Sequence, residues 1–266
     1  MTITYLLPIL AALLIVLFYM GLPSLKECPL KRAEPAERKM RRGDWLAAAV
    51  IALCYAVVAF IGLGDTEAAQ KPHVFSPNET VTVELESAMP ISRLRIFCGI
   101  NVGNYYIECS EDGENWDYAG EFAQNYVAVL KWEEIELSET VTTKPARYLR
   151  ITADNDMYLN EIAVYSPYGD LLGITSADAP ELCDEQEHVP DAASFMNSSY
   201  FDEIYHVRTA IEHQKDIWPY EVSHPPLGKL IIGIGISLFG VTPFGWRFMG
   251  TLFGVLMLPV MYLFLK

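Results

Sequence analysis

Long uncharged apolar runs, broken by one long acidic stretch, constrain this chain more than anything else in its sequence. Residues 3–22 and 45–64 carry no charge, residues 227–244 carry only Lys229, and residues 248–265 carry none. A helix needs roughly 20 apolar residues to cross the hydrocarbon core of a bilayer. Each block is therefore read as a membrane span. The third is rich in glycine, and its Gly233, Gly235 and Gly240 would let helices approach closely. The first block could also be a secretory signal. No basic residue precedes it and no small-x-small cleavage site follows, so a retained helix is expected.

Charge has to be read by segment. The chain has 266 residues, a formal net charge of −15 and 52% hydrophobic residues. Only Glu27, Glu34, Glu37 and Asp44 precede Gly64, so 30 of the 34 acidic residues follow it. The loop between the first two blocks holds Lys26, Lys31, Arg32, Arg38, Lys39, Arg41 and Arg42. The positive-inside rule puts that loop in the cytoplasm and the long acidic segment outside. On the same logic Arg247, between the last two blocks, is expected back on the cytoplasmic side. The reading is a multi-pass protein of the cell membrane with a large extracytoplasmic domain.

Residues 71–172 read as a β-sandwich. Val81-Thr82-Val83-Glu84-Leu85 and Leu94-Arg95-Ile96-Phe97-Cys98 alternate, and Tyr105, Ile107 and Cys109 form another inward set. Tyr148-Leu149-Arg150-Ile151 and Glu161-Ile162-Ala163-Val164-Tyr165 are further short strands. Gly103-Asn104, Asp112-Gly113 and Asp154-Asn155 punctuate them as turns. Cys98 and Cys109 fall on inward faces, either as a disulfide or as buried thiols. Tyr105, Tyr106, Trp116, Tyr118, Trp132 and Tyr158 are candidate sugar-stacking rings, but core or hairpin packing is the commoner use of such residues. Residues 173–197 are acidic, lack apolar periodicity and read as a linker. Asn78-Glu79-Thr80 and Asn197-Ser198-Ser199 are glycosylation sequons, relevant only in a secretory compartment.

Residues 202–216 read as a helix near the membrane surface. Ile204, Val207 and Ile211 share one face; Asp202, His206, Thr209 and His213 share another. Ser199 is the expected cap, with Asp202 and Glu203 at the positive end of the helix dipole. Beyond it, His224-Pro225-Pro226 starts the next helix sharply, because proline fixes φ and has no backbone donor. His206, His213 and His224 with Asp202 leave a divalent metal open; no thiolate pair with metal-site spacing supports one.

Two resemblances add to this reading. Ser110-Glu111-Asp112-Gly113-Glu114-Asn115-Trp116 resembles a hairpin of discoidin-type domains, and Ala146-Arg147-Tyr148-Leu149-Arg150-Ile151 with Leu159-Asn160-Glu161-Ile162-Ala163-Val164-Tyr165 resembles their closing strands. It implies a galactose-binding-like jelly roll. Phe201-Asp202-Glu203-Ile204-Tyr205-His206, then Ser223-His224-Pro225-Pro226-Leu227-Gly228-Lys229, then Thr242-Pro243-Phe244-Gly245-Trp246-Arg247, together resemble the protein O-mannosyltransferase family. The likeness covers residues 198–266, plus residues 45–64 as that family's first helix.

The combined expectation is an α + β membrane protein, with transmembrane helices of the GT-C type and an inserted extracytoplasmic β-sandwich. Residues 1–22 form an extra span, 23–44 a basic cytoplasmic loop, 45–64 a span, 71–172 the sandwich, 173–197 the linker, and 198–266 the start of a glycosyltransferase with two spans. The family resemblance implies mannosyl transfer, with inversion, from a polyprenyl-phosphate sugar to a Ser/Thr hydroxyl of an acceptor protein. No cofactor beyond this donor is implied with certainty. The resemblance makes Asp202 the catalytic carboxylate, the base toward the acceptor hydroxyl, with Glu203 orienting the acceptor or holding a neighbouring cation. His224, Arg208 and Lys229 are candidate substrate-binding groups for the leaving phosphate. Family members have more spans than this chain, which is expected to be an N-terminal fragment. The competing readings are a membrane-anchored surface module that binds glycan without catalysis, and the same chemistry on a lipid or cell-wall acceptor.

Overall fold

The computed structural model describes residues 40–265, and residues 46–265 form one compact unit. The expected span at 3–22 and nearly all of the basic loop lie outside the described residues.

Alternating apolar positions build two antiparallel sheets. The strands are β1 (His73–Phe75), β2 (Thr80–Met89), β3 (Arg93–Cys98), β4 (Gly103–Ser110), β5 (Asp117–Gln124), β6 (Lys131–Glu136), β7 (Ala146–Ala153), β8 (Met157–Tyr165) and β9 (Ile174–Thr175). One sheet runs β1-β8-β3-β6, the other β5-β4-β7-β2-β9. Val81, Val83, Leu85, Tyr105, Ile107, Leu149 and Ile151 from the five-stranded sheet meet Leu94, Ile96, Leu159, Ile162 and Val164 from the other in one core. Burying each such side chain contributes about 1.5–3 kcal/mol.

Cys98 and Cys109 lie on the two facing sheets, and both are free thiols. Among the candidate rings, Tyr105 and Trp132 are buried, while Tyr106 and Tyr118 are exposed on the outer face. Trp116 lies 4.3 Å from the Arg150 guanidinium in a cation–π contact.

The chain does not leave the sandwich at residue 172. β9 pairs with β2, and Ala179 and Leu182 are buried in the core. The acidic stretch then crosses the outer face of the four-stranded sheet, where Glu161 accepts hydrogen bonds from the Gln186 amide and the Glu185 backbone N–H.

Four longer helices follow the apolar pattern: α1 (Arg42–Phe60), α2 (Glu203–Gln214), α3 (Pro226–Phe239) and α4 (Pro243–Leu265). Only α1 and α4, among the described residues, are long and apolar enough to cross a membrane. The block at 227–244 differs from the span expected of it. Fourteen residues of α3 reach about 21 Å, short of a hydrocarbon core of roughly 30 Å. Gly240, at φ 79°, ends the helix. Both ends of α3 also meet polar groups. Lys229 is bonded to Glu221 near one end. At the other, Val241 exchanges hydrogen bonds with the Gln70 side chain, just before β1.

Candidate active site

The acidic motif sits where α1 ends, α2 begins and α4 begins. Phe244 N–H donates to the Asp65 carbonyl at 3.1 Å, and Phe60 packs on Phe248 with ring centroids 5.3 Å apart. These contacts bring the C-terminal end of α1 to the N-terminal end of α4. Asp202 and Glu203 lie against that junction.

The two acids have different roles in the structure. Glu203 is locked. Its carboxylate accepts from Arg247 Nε at 2.6 Å and from an Arg247 terminal nitrogen at 2.7 Å. It also accepts from the Trp246 indole at 3.2 Å and from Tyr200 N–H at 3.1 Å. The last bond reaches back across the helix start. Arg247 spends its remaining donors on the carbonyls of Leu63, Phe195 and Ser198. It ties the end of α1, the approach to the motif and the start of α4 into one knot. This is the same side as Asp202, contrary to the cytoplasmic position expected for Arg247.

Asp202 is unengaged. It occupies the N-cap position of α2 without a side-chain cap bond. Its carboxylate is exposed and has no hydrogen-bond or ion-pair partner among the described residues. Ser199 is not the cap either, because its buried hydroxyl donates to the Val129 carbonyl at 2.6 Å. Asp202 opens into a cleft of about 600 Å³, lined also by Glu203, His206, Ile232, Trp246, Arg247 and Thr251.

Beside the cleft, His206 and His224 meet edge to face with ring centroids 5.4 Å apart. His224 Nδ1 lies 3.2 Å from the Glu221 carboxylate. Glu221 is also bonded to the buried Lys229 ammonium. Lys229, then the Ser223 hydroxyl and His224, hold the Glu221 carboxyl well below the usual carboxylate range. Arg208 lies within α2, bonded through Nε to the buried Glu212 at 2.7 Å. Neither Arg208 nor Lys229 lines the cleft that Asp202 opens into. The structure thus brings Asp202, Glu203 and His206 together, with His224 packed on His206.

Sequence reasoning gave Arg247, Glu221 and Glu212 no part in the site. The Trp246-Arg247 pair was visible, three residues after a proline that starts a helix. Its partner was not. Among the described residues the one group placed to share a metal ion is Glu161, Asp184 and Glu185, on the sandwich and not beside these histidines.

No family model matches this chain. Over 99 residues it is 31% identical to a polyprenol-phosphate-mannose–protein mannosyltransferase of Mycobacterium tuberculosis, covering 37% of this chain and 16% of that protein. The protein of the same name from Corynebacterium glutamicum is 35% identical over 97 residues, covering 36% of this chain and 18% of the relative. The chain resembles the protein mannosyltransferases. It spans about a sixth of the length of the curated relatives it matches. Among solved structures, a pectin-binding carbohydrate-binding module aligns with a TM-score of 0.32 and 21% identity, over 41% of this chain and 80% of the module. A CBM32 module of AlyQ, in complex with 4,5-unsaturated mannuronic acid, gives 0.32 and 16% identity over 40% of this chain and 84% of that one. The sandwich described above rests on its own strand order and core.

Proposed function

We propose that this chain is part of a membrane mannosyltransferase that moves a sugar from a polyprenyl-phosphate carrier to a Ser/Thr hydroxyl of protein. One observation carries the reading. Of two adjacent acids at a cleft lined by α2, α3 and the start of α4, one is locked by an arginine and the other is free. A base must be free to take a proton, and Asp202 is the free one.

In this reading α1 and α4 cross the bilayer. Leu46, Leu53, Val57, Leu256, Val260 and Phe264 are exposed along them, a surface that water would not tolerate and lipid would cover. The basic loop before α1 puts its far end, and with it Asp202, on the extracytoplasmic side. Leu227, Leu230, Ile234 and Leu238 form an exposed apolar stripe along α3, which lies at the lipid boundary instead of spanning it.

The acceptor hydroxyl attacks the anomeric carbon from the face opposite the phosphate. Its proton passes to the Asp202 carboxylate as the new C–O bond forms. The bond from the anomeric carbon to the phosphate oxygen breaks, and the lipid phosphate leaves with the electron pair. Glu203 and Arg247 hold Asp202 in place. His224 has an exposed ring, and its Nε2 has no partner among the described residues, so it is a candidate donor to the departing phosphate. Arg208 and Lys229 are buried and paired with Glu212 and Glu221.

The test is Asp202→Asn in the longest natural form of the protein, assayed with polyprenyl-phosphate mannose and a Ser/Thr-rich peptide. Transfer should fall at least about a hundredfold. A second reading, glycan binding by the sandwich, is favoured by Tyr106 and Tyr118, which stand exposed on the outer face of the five-stranded sheet beside the Glu108–Arg150 ion pair. Both readings can hold in one protein.

A further inference from the structure

The inserted sandwich touches the acidic motif directly, through residues 125–132, the loop after β5 and the start of β6. Three hydrogen bonds join the two. Ser199 N–H donates to the Leu130 carbonyl at 2.8 Å, the Ser199 hydroxyl to the Val129 carbonyl at 2.6 Å, and Trp132 N–H to the Ser198 hydroxyl at 3.1 Å. Ser198 and Ser199 are 3% and 4% exposed, so these bonds are shielded from competing water.

A second set of contacts reaches the other face of α2. The Tyr126 ring stacks on Tyr220 with centroids 4.5 Å apart and planes 20° from parallel. The Arg208 guanidinium lies 4.4 Å from the Tyr220 ring and 5.7 Å from Tyr126. Glu212 closes the unit, accepting from Arg208 on one oxygen and from Tyr220 N–H on the other at 2.7 Å. Val129 and Leu130 pack with Val207, Ala210 and Ile211 of α2 in one apolar cluster.

Backbone strain marks the same place. Leu130 has φ 51° and Phe201 has φ 52°. A residue with a side chain pays about 1–2 kcal/mol to sit in that left-handed region. Such a conformation persists where the surroundings fix it from several sides. Leu130 supplies the carbonyl that receives Ser199, and Phe201 immediately precedes Asp202. The strained pair brackets the junction between sandwich and motif.

We infer that the sandwich sets the position of Asp202, with Tyr126 and Ser199 as positioning residues that act through α2 and its approach. Neither residue lines the cleft, so neither acts on substrate by contact. Ser199 also stands third in the Asn197-Ser198-Ser199 sequon. Its buried hydroxyl gives that serine a structural use. The inference rests on the reading of Asp202 as the base, but its first test does not.

Hydrogen exchange of the full chain in nanodiscs supplies that test. Tyr126→Ala should speed exchange of the amides at residues 203–214 about tenfold, while β4 and β7 keep wild-type protection. Tyr126→Phe keeps the ring stack and should restore protection. Ser199→Ala should act like Tyr126→Ala. Unchanged exchange of α2 in both alanine variants overturns the inference, and so does equal loss across the strands, which would mark general unfolding. In the longest natural form, Tyr126→Ala should lower kcat about tenfold with the donor KM unchanged, and Tyr126→Phe should restore it. Full kcat in Tyr126→Ala would overturn the positioning role even if exchange changed. Full activity in Asp202→Asn would instead remove the base assignment and leave the exchange result standing.

Discussion

Glu203 and Arg247 are forty-four residues apart in the chain, and the Arg247 guanidinium donates to both oxygens of the Glu203 carboxylate at 2.6 and 2.7 Å. Arg247 also bonds three backbone carbonyls from two other segments. A lysine cannot reproduce that fork of donors. Arg247→Lys and Glu203→Gln should each destabilise the folded chain by about 1–3 kcal/mol. The double variant should cost less than the sum, because both remove one interaction. Thermal unfolding in nanodiscs measures this.

Glu161 gives the sandwich a pH dependence of its own. Its side chain is 0% exposed, and burial pushes the carboxyl from 4.5 up to about 8, against the hydrogen bonds from Gln186 and Glu185. The folded form then keeps a proton that the unfolded form releases. Stability from this group is full below the unfolded value and falls as pH rises toward the folded one, by up to about 1.4 kcal/mol per unit. Unfolding free energy should therefore fall between pH 5 and pH 8, and Glu161→Gln should flatten the slope. Denaturant titrations at a series of pH values check it.

The strands were legible because alternation and turn residues agree along β2, β3, β4, β7 and β8. So was α2, whose apolar residues recur at three and four. The end of the third apolar block was not legible because α3 and the start of α4 run together in hydropathy. The stop between them is written in Gly240 and Pro243, but hydropathy alone passes over both. Glu161 looks like an outward residue of a half-solvated strand; only the later acidic segment, folded back over the sheet, buries it. The Glu203–Arg247 bond is a tertiary pairing, and no spacing rule within one helix announces it. Asp202 was named from sequence, but its freedom from partners could only be seen in three dimensions.

The thiols should be silent. Cys98 and Cys109 are buried, and burial pushes Cys109 up to about 12 and Cys98 well above its ordinary value. A thiolate is the reactive form, so a maleimide at pH 7 should leave both unmodified in the folded protein and label both in denaturant. Mass spectrometry of the labelled peptides reads the result.

Close packing of α3 on α4 depends on Gly235. A Cβ there would collide with the Gly245 carbonyl oxygen, whereas one at Gly228 would meet nothing within 4 Å. Gly235→Ala should cost about 1–3 kcal/mol, as overpacking does. Gly228→Ala should change stability by a few tenths at most. Unfolding midpoints of the two variants decide it.

The central claim is that the unengaged carboxylate of Asp202 takes the acceptor proton while its neighbour only holds the frame. The direct measurement is mannosyl transfer by Asp202→Asn in the longest natural form, with folding verified by unchanged exchange protection of α2. The account predicts transfer reduced at least about a hundredfold in a fully folded protein. Transfer at the wild-type rate would contradict it.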